Sequence, residues 1–576
     1  MTAEPICGID LGTTNSCLAL LRKGKPEPVL IEEGSAIVPS IVSRDEATGR
    51  IIVGREALNR FAAFPHHTVR SIKRLMGKET PILLGDNSYS PEEISSFILK
   101  YLVEQGAAVI GREIRRVVIT VPAYFNDAQR RATIKAGELA GLEVVRIINE
   151  PTAASLLYEN VEDVDAGAEA ASPFILVYDL GGGTFDVSIL EVKGEIKEVL
   201  ASCGDSALGG DDFDERLIAF LLRHIREKYG HDFSDDGDRS LHTRLKAVAE
   251  RTKITLSDAP YARISEVAVT VVNGEPVNLD LELSRREYEE MIADLVEQTQ
   301  EKVGEALKEA HLAPDDIGRI ILVGGSTRTP LVQERLEQLF DRTISYSIDP
   351  DLCVALGASV QHGLIAGEPL GHILIDVTAH SLGMKTSDSY DPETRDADYF
   401  STIIRRNTAI PTRKAEVYYT NIDDQDLVKV EVYQGESESC RENSLIGSFV
   451  YPLKPAPAGS SVVAEFAYDK EGLIHITLEQ KGHDNRKEVT LNIRTNKVTA
   501  RDAAVVEEKI VNYMVSKGRK LAKRSDVPQM MRDELTDLLD EYSAALAADA
   551  DELLDNLEER LLELMDEIEE LTAGNE

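Results

Sequence analysis

The sequence predicts an α/β fold that continues into an antiparallel β domain and ends in helices. Up to about residue 370, apolar runs such as FILVYDL (174–180) and IGRIILVGG (317–325) alternate with amphipathic stretches, which is typical of α/β architecture. From GHILIDVTAHSLG (371–383) onward the apolar residues alternate with period two, which indicates antiparallel strands. Beyond about residue 497 they recur three and four apart, as helices require.

Length and composition indicate a globular chain of several domains. The 576 residues exceed what one hydrophobic core supports, and the apolar fraction of 43% is ordinary for folded proteins. No apolar stretch is long enough to cross a bilayer, and the start MTAEPICGID lacks the basic and apolar segments of a secretory signal. The sequence therefore predicts no membrane association.

Charge and cysteine usage indicate which partners and which cellular compartment to expect. The net charge of −38, from 101 acidic and 63 basic residues, repels phosphate backbones, so we expect no nucleic-acid partner. The five cysteines are scattered, and their pattern argues against a disulfide framework and a zinc site; they are Cys7, Cys17, Cys203, Cys353 and Cys440. A reducing, cytoplasmic location is expected.

Glycine-rich turns after predicted strands indicate a nucleotide site. DLGTTNS begins at Asp10 and DLGGGTFD at Asp179, which also suggests an internal duplication. Glycine lets backbone N–H groups approach an anion, threonine adds a hydroxyl donor, and the aspartates suit a hydrated Mg²⁺. LVGGSTR (322–328) would hold the nucleoside end. One such turn alone is most often a plain hairpin, but three after strands favour nucleotide binding, although no Walker or GxGxxG pattern is present.

Seven motifs in order resemble the DnaK family, the 70-kilodalton heat-shock chaperones. They are DLGTTNS, VPAYFND, IINEPTAAS, DLGGGTFD, LGGDDFD, LVGGSTRTP and HILIDVTAHSLG. The resemblance implies a two-lobed ATPase domain of the actin and hexokinase fold at 1–371 and an interdomain linker at 372–380. It also implies a β-sandwich peptide-binding domain at 381–497 and a helical lid at 498–576.

The same resemblance assigns the ATP-hydrolysing residues. Asp10 and Asp179 would hold Mg²⁺ through water, while Lys73 would contact the γ-phosphate and orient the attacking water. Glu150 would lie near metal and water, and Thr184 beside the γ-phosphate. The phosphate-cradling positions are Gly12, Thr13, Thr14, Gly181, Gly182, Gly183, Gly209 and Gly210.

The nucleoside pocket follows from the same family pattern. Its positions are Glu250, Lys253, Ser257, Gly324, Gly325, Ser326, Arg328 and Asp351. Glu and Lys suit ribose hydroxyls, and a flat guanidinium can stack on adenine. An ordinary i, i+3 surface ion pair is the alternative interpretation of Glu250 and Lys253.

Further positions are assigned to coupling and to peptide binding. The coupling residues are Pro122, Arg130, Arg146, Ile373, Leu374, Ile375 and Asp376. An apolar linker needs a surface on which to dock, and in this family it docks on the nucleotide domain when ATP is bound; Arg146 and Asp376 match the residues that engage a J-domain co-chaperone. The peptide-groove positions are Tyr418, Val428, Val430, Ser387 and Asn421, for which plain sandwich core is an equal alternative at the first three.

The sequence departs from the family pattern in several places. The stretch between Lys73 and Pro122 is short, which puts dependence on the usual nucleotide-exchange factor in doubt. Ala379 replaces a proline, and Ser387 and Asn421 stand where an apolar arch usually covers the peptide. The short lid resembles the HscC-like bacterial side branch. Its leucines predict a small helical bundle, with a dimerising seam as the alternative.

The predicted function is an ATP-dependent chaperone with slow ATP hydrolysis, alternating between ATP and ADP as it binds and releases extended client peptides. A monomer with a J-domain partner is expected. A non-cycling regulator, in which nucleotide is only a structural ligand, is the alternative from another class. A sugar kinase or actin-like filament is disfavoured by the apolar linker and the β domain.

Overall fold

The structure is a computed structural model that describes most of the chain. The described residues are 4–157, 172–194, 196–231, 233, 239–272, 274–344, 348–370, 373–386, 399–421, 423–469, 474–491, 515, 518–519, 521–524, 527–547, 557, 560, 561, 564, 565 and 568. None of the helices within these ranges is long and apolar enough to cross a membrane.

Helices of the described residues are numbered in chain order. They are α1 (Arg55–Arg60), α2 (Pro91–Ile110), α3 (Asp127–Leu139), α4 (Glu150–Ser155), α5 (Gly210–Tyr229), α6 (Arg239–Asp258), α7 (Arg285–Glu309), α8 (Pro330–Phe340), α9 (Cys353–Ala366) and α10 (Gln529–Ala547). Helix α2 begins with a capping box in which Ser90 Oγ accepts from the Glu93 N–H and the Glu93 carboxylate accepts from the Ser90 N–H.

Strands of the first part are β1 (Ile6–Leu11), β2 (Asn15–Arg22), β3 (Lys25–Pro28), β4 (Ile37–Pro39), β5 (Ile41–Arg44), β6 (Ile51–Val53), β7 (Thr68–Arg70), β8 (Ile82–Leu84), β9 (Asn87–Tyr89), β10 (Arg116–Val121), β11 (Glu143–Asn149), β12 (Phe174–Leu180), β13 (Phe185–Lys193), β14 (Ile196–Asp205), β15 (Tyr261–Val272), β16 (Glu275–Ser284), β17 (Ile317–Val323) and β18 (Ile373–Ile375). Those of the β domain are β19 (Leu382–Thr386), β20 (Tyr399–Ile404), β21 (Thr412–Tyr419), β22 (Leu427–Gln434), β23 (Ser444–Pro452), β24 (Ser461–Tyr468), β25 (Ile474–Gln480) and β26 (Arg486–Leu491).

Two sheets of matching design form the two lobes. In the first, strands run in the order β11-β10-β1-β2-β3, and in the second β17-β12-β13-β14-β18. Each contains a hairpin, β1–β2 or β12–β13, whose first strand has a parallel neighbour, β10 or β17. Asp10 and Asp179 lie at equivalent places near the ends of those first strands. The duplication predicted from the two DLG turns is therefore present in the backbone.

The buried faces explain why these sheets hold together. Strands β1, β2, β12 and β13 are buried along almost their whole length, as expected for sheets covered by helices on both faces. A cluster around Val177, Leu190 and Val199 in the second lobe also includes Ala153 and Leu156 at α4. Helix α4 is thus packed tightly against the sheet.

The β domain contains two antiparallel sheets. Their orders are β20-β19-β22-β23 and β21-β24-β25-β26. In the second sheet, Ala464, Phe466, Ile476 and Leu478 alternate with more exposed residues, which is the period-two pattern seen in the sequence. The predicted class, an α/β ATPase-type fold followed by a β-sandwich and a helical lid, is confirmed.

The chain forms two compact units. The first contains residues 1–425, 431–446 and 454–495, and the second 426–430, 447–453 and 496–576. These units do not test the predicted boundaries near 371, 380 and 497, which stay predictions.

Within the second unit, Leu535, Leu538, Leu539 and Tyr542 of α10 pack with Leu557, Leu561, Leu564 and Ile568 in one buried cluster. This packing supports the bundle interpretation of the C-terminal leucines. In the sequence, Thr499 followed by Asp502 resembles a helix capping box, and both residues lie outside the described residues.

Candidate active site

A cavity of about 340 Å³ lies where the glycine turns of both lobes meet. Its lining includes eighteen of the positions predicted from sequence: Asp10, Gly12, Thr13, Thr14, Lys73, Glu150, Asp179, Gly181, Gly182, Thr184, Glu250, Lys253, Ser257, Gly324, Gly325, Ser326, Arg328 and Asp351. Residues as distant in the chain as Asp10 and Asp351 therefore face one space, because the two lobes present their strand ends toward each other. The tertiary structure brings together the phosphate and nucleoside positions that the motifs suggested.

A buried ion pair occupies the floor of this cavity. Lys73 Nζ lies 2.5 Å from Glu150 Oε1, and only 4% of the lysine and 6% of the glutamate is exposed. Burial alone would lower the pKa of Lys73, but Glu150 and Asp10 outweigh it, so the pKa is raised and the ammonium stays charged. A charged lysine held this way is positioned to contact an anionic group in the cavity.

The two strand-end aspartates are poised for a cation. Burial, reinforced by Glu150, raises the pKa of Asp10 to about 7, and burial with Glu150 likewise raises the pKa of Asp179. Within the described residues, Asp179 Oδ2 is buried without a hydrogen-bond partner, whereas Asp10 Oδ1 accepts from Thr120 at 3.1 Å. An orphaned carboxylate oxygen beside a second carboxylate fits a divalent cation, which would hold both groups ionised.

No chelating cluster of three or more His, Cys, Asp or Glu side chains occurs in the part of the chain that the structure describes. A hard cation that keeps most of its water shell and takes further oxygens from phosphates suits such a site. The donor set is therefore compatible with Mg²⁺ and gives no support to a zinc-type centre.

Two glycines at the turns leave no space for a side chain. A Cβ at Gly182 would lie 1.9 Å from Thr14 Oγ1, so this turn of one lobe touches the equivalent turn of the other. Gly324 has φ +82°, and a Cβ there would lie 2.4 Å from the Leu180 carbonyl oxygen. Close approach of the two lobes thus depends on Gly182, whereas Gly324 allows two strand ends of the second lobe to pack together.

Three predicted glycines lie beside the cavity and brace its turns. The Gly210 N–H donates to Gly181 O at 3.0 Å, and the Gly183 carbonyl accepts from Arg74 Nε at 3.1 Å. A Cβ at Gly209 would lie 2.6 Å from the Gly182 carbonyl carbon. These residues support the phosphate turn from behind rather than lining the space.

Glu250 and Lys253 each pair with a partner from another element. Glu250 accepts two hydrogen bonds from Arg70, at 3.0 and 3.3 Å, and Lys253 Nζ lies 2.8 Å from Asp214 Oδ1. Arg70 is on the first lobe, at the end of β7. The alternative of a simple surface pair within α6 is therefore not what organises these two side chains.

Sequence reasoning missed several charged residues at this site. Arg70 bridges the lobes; Arg74 pairs with Asp212, and Ser71 donates to Asp211 at 2.7 Å. Asp211 also lines the cavity. The motif LGGDDFD was a signal for the acidic partners, whereas Arg70 had none because its contact depends on how the lobes close.

Two of the predicted coupling residues, Arg130 and Asp376, meet at Asn149, which directly precedes Glu150. Arg130 donates to Asn149 Oδ1 at 2.6 Å, and Asn149 Nδ2 donates to Asp376 Oδ2 at 3.1 Å. Burial raises the pKa of Asp376 and lowers that of Arg130. Pro122 follows β10, and its carbonyl accepts from the Phe125 N–H. Arg146 lies on β11 and contributes an electrostatic interaction to Asp376.

The linker itself forms strand β18 and extends the second-lobe sheet. Ile373, Leu374 and Ile375 pair in parallel with Ile196, Lys197 and Glu198 of β14. The apolar linker thus has a docking surface, as its composition suggested.

The predicted groove residues have different environments. Tyr418 on β21 is half-buried, with its hydroxyl 2.8 Å from that of Ser401. Val428 on β22 is half-buried, Val430 is fully buried, and Asn421 is exposed with its N–H donating to Gln425 Oε1. Ser387 lies outside the described residues. Full burial makes Val430 a core residue in this structure, while its predicted contact with peptide stays a prediction.

The chain has a duplicated two-lobed α/β fold that closes on a glycine- and carboxylate-lined cavity, and a docked linker joins this fold to a β-sandwich. These features define the class of nucleotide-dependent, two-domain switch proteins. The profile of the family described as Hsp70 protein matches residues 6–83 and 81–576. The chain is 41% identical over 494 residues to the chaperone proteins DnaK of two Halobacterium salinarum strains, covering 85% of this chain and 75% of theirs. It is 38% identical over 581 residues to the chaperone protein DnaK of Thermotoga neapolitana, covering 100% of this chain and 94% of that one. The chain belongs to the Hsp70 family: it is an ATP-dependent molecular chaperone with ATPase activity, and the predicted family, function and enzyme class are confirmed.

Proposed function

We propose that ATP hydrolysis in the inter-lobe cavity is carried out by Lys73, Glu150, Asp10, Asp179 and Thr184, and that the state of linker 373–376 transmits the nucleotide state to the β domain. The observation that carries this proposal is the pairing of β18 with β14, which makes the linker part of the nucleotide-lobe sheet. A linker that is either paired or released is a two-state element that both domains can bias.

The roles of the cavity residues follow from their geometry. The Lys73 ammonium, fixed by Glu150, would contact the terminal phosphate and orient water, and Glu150 would accept a hydrogen bond from that water. Thr13, Thr14, Thr184 and the Gly182 N–H would donate hydrogen bonds to phosphate oxygens. Asp10 and Asp179 would hold Mg²⁺ through water; when bound, the cation neutralises phosphate charge.

Polar contacts at the linker give the coupling a physical route. Arg406 pairs with Glu309 of α7, and the Asp127 N–H donates to Gln434 Oε1 at 2.9 Å. The Ser202 N–H of β14 donates to Asn407 Oδ1 at 3.0 Å. These bonds join the nucleotide lobes to β-domain residues in the linker-paired arrangement, and we expect release of the linker to break them together.

The partners follow from the same proposal. Extended apolar segments of client proteins would enter the β domain, with Val428 and Tyr418 at the groove and Ser387 and Asn421 at its arch. A J-domain co-chaperone would engage Arg146 and Asp376, which interact electrostatically with each other. A cytoplasmic location and a monomeric state are part of this proposal; the identity of the exchange factor is left open.

The test is the dissociation rate of a labelled extended peptide in saturating ATP and then in ADP. Release that is about 10-fold or more faster in ATP would support coupling through the linker. The Lys73→Ala variant is a useful companion, since it should bind ATP without hydrolysing it and still accelerate release. Equal rates in both nucleotides would overturn the coupling and favour the non-cycling regulator, in which nucleotide is a structural ligand only.

A further inference from the structure

Lys197 is a buried lysine on β14, the strand that pairs with the linker. Only 1% of its surface is exposed, and it lies on the same face of β14 as the buried residue Val199. Its Nζ donates to the backbone carbonyl of Ser155 at 2.7 Å. Burying an ammonium group costs several kcal/mol unless polar partners compensate, so its place in an apolar face asks for an explanation.

The acceptor belongs to helix α4, which carries a residue of the ATP site. Helix α4 is only six residues long, begins with Glu150 and ends with Ser155, and every residue in it is buried. The last carbonyls of a helix lack intrahelical partners and carry partial negative charge, so a lysine there is favourable. Because α4 is short and buried at every residue, we expect it to move as one piece, so that a shift at Ser155 would displace Glu150.

The linker reaches the same end of α4 by two routes. Lys197 pairs in register with Leu374 of β18. The Leu374 side chain packs against the cluster that includes Ala153, Ala154 and Leu156. At the opposite end, Asp376 accepts from Asn149, the residue before Glu150. Both ends of α4 are thus held by the linker or by its partner strand.

Loss of the linker would leave the strand that carries Lys197 at the edge of the sheet. Strand β14 has β13 on one side and β18 on the other, so release of β18 makes β14 an edge strand. Water would then reach the ammonium, and its bond to Ser155 would compete with hydration.

We propose that Lys197 is a positioning residue that reports linker pairing to Glu150 through α4. This inference rests on the proposed coupling through the linker and adds a specific route for it. Lys197 touches no substrate; it sets where Glu150 stands relative to Lys73.

The first test is the Lys197→Met variant, which keeps the apolar stem of the side chain and removes the ammonium that donates to the Ser155 carbonyl. The matched control is Lys193→Met on β13, whose ammonium is exposed and pairs with Glu191 at 2.8 Å. For Lys197→Met, peptide stimulation of kcat should fall by about 10-fold, while the KM for ATP should stay within about 2-fold of the parent value. The control should keep both.

Measurements on the parent protein distinguish failure of the proposed linker coupling from failure of the role proposed for Lys197. If the parent shows neither ATP-accelerated peptide release nor peptide-stimulated turnover, the proposed coupling fails. If the parent is coupled and Lys197→Met is equally coupled, the role of Lys197 is overturned. Lys197→Arg, which keeps a cationic donor, should restore part of the stimulation; a purely space-filling role would make Arg, the larger side chain, worse than Met.

Hydrogen exchange on the parent chain tests the route even if Lys197→Met fails to fold. Going from ADP to ATP, amides of 196–199 should gain protection as β18 pairs, and amides of 152–157 should gain protection with the same nucleotide dependence. Protection that rises at 196–199 while 152–157 stays unchanged would overturn the connection between linker and α4.

Discussion

The imidazole of His380 lies against the ring of Tyr124, with ring centroids 4.5 Å apart, and its Nε2–H donates to the Tyr124 carbonyl at 3.0 Å. His380 lies shortly after β18, whereas Tyr124 follows β10 of the first lobe. Two further bonds join the nucleotide lobes to the β domain, from the Asp127 N–H to Gln434 Oε1 and from Arg406 to the Glu309 carboxylate, so the His380 contact belongs to the linker-paired arrangement.

A pH dependence of linker pairing follows from His380. Burial lowers its pKa; the Tyr124 carbonyl and Glu436 oppose this, and Arg130 and Arg406 add to it. The paired state therefore binds fewer protons than a released, solvated histidine with a pKa of about 6.5, and pairing weakens as pH falls below that value.

Interdomain fluorescence energy transfer in ATP, measured from pH 8 to pH 5.5, checks this expectation. His380→Leu should remove most of the loss between about pH 6.5 and the lowered pKa. His483→Leu, at an exposed turn, is the control and should titrate as the parent does. An unchanged profile in His380→Leu would assign the dependence to another group.

Lys73→Ala should abolish hydrolysis while ATP still binds. The change removes the cation that Glu150 contacts at 2.5 Å, so single-turnover hydrolysis should fall by about 100-fold or more. ATP affinity, measured by calorimetry, should change far less because the other cavity residues remain. Lys78→Ala, at an exposed position nearby, should behave as the parent.

The same variant leaves Glu150 buried without its partner, a situation that costs about 3–5 kcal/mol. Thermal unfolding must therefore accompany the assay. A folded Lys73→Ala protein with parental turnover would remove Lys73 from catalysis.

Arg70→Ala should accelerate nucleotide release. Arg70 of the first lobe binds Glu250 of the second through two hydrogen bonds and lies 3.9 Å from Asp211, so it ties the lobes at the cavity mouth. Stopped-flow release of a fluorescent ADP should become about 10-fold faster. Arg50→Ala removes an exposed pair with Glu56 and should leave the rate unchanged. An unaltered rate in Arg70→Ala would show that the tie does not limit opening.

Val428→Phe should block peptide binding without unfolding the β domain. Val428 is half-buried, so a larger ring can enter the proposed groove, whereas Val430 is fully buried and Val430→Phe should overpack the core and lower the Tm. Fluorescence anisotropy with a labelled peptide measures the first effect, and calorimetric unfolding the second. If folded Val428→Phe binds the peptide with the same affinity as the parent, the groove does not lie at this position.

Local patterns in the sequence are sufficient for the fold class, the order of the elements and the glycine turns of the cavity. Alternation with period two and glycine turns after apolar runs are properties of neighbouring residues, and by themselves they place Asp10, Asp179 and Gly324 at strand ends. The family resemblance adds most of the other cavity positions, including charged residues such as Lys73, Glu150 and Glu250, which composition alone would leave among many surface charges.

Tertiary structure alone decides which charged side chains meet. Arg70 and Glu250 are 180 positions apart, Lys197 and Ser155 are 42 apart, and the linker pairs with a strand that begins 177 positions earlier. No periodicity records such contacts, because they depend on how two lobes close and on which strand edge is left open. The residues of the cavity can therefore be predicted from the sequence. The hydrogen bonds and ion pairs that join the lobes, the linker and helix α4 form only once the chain has folded.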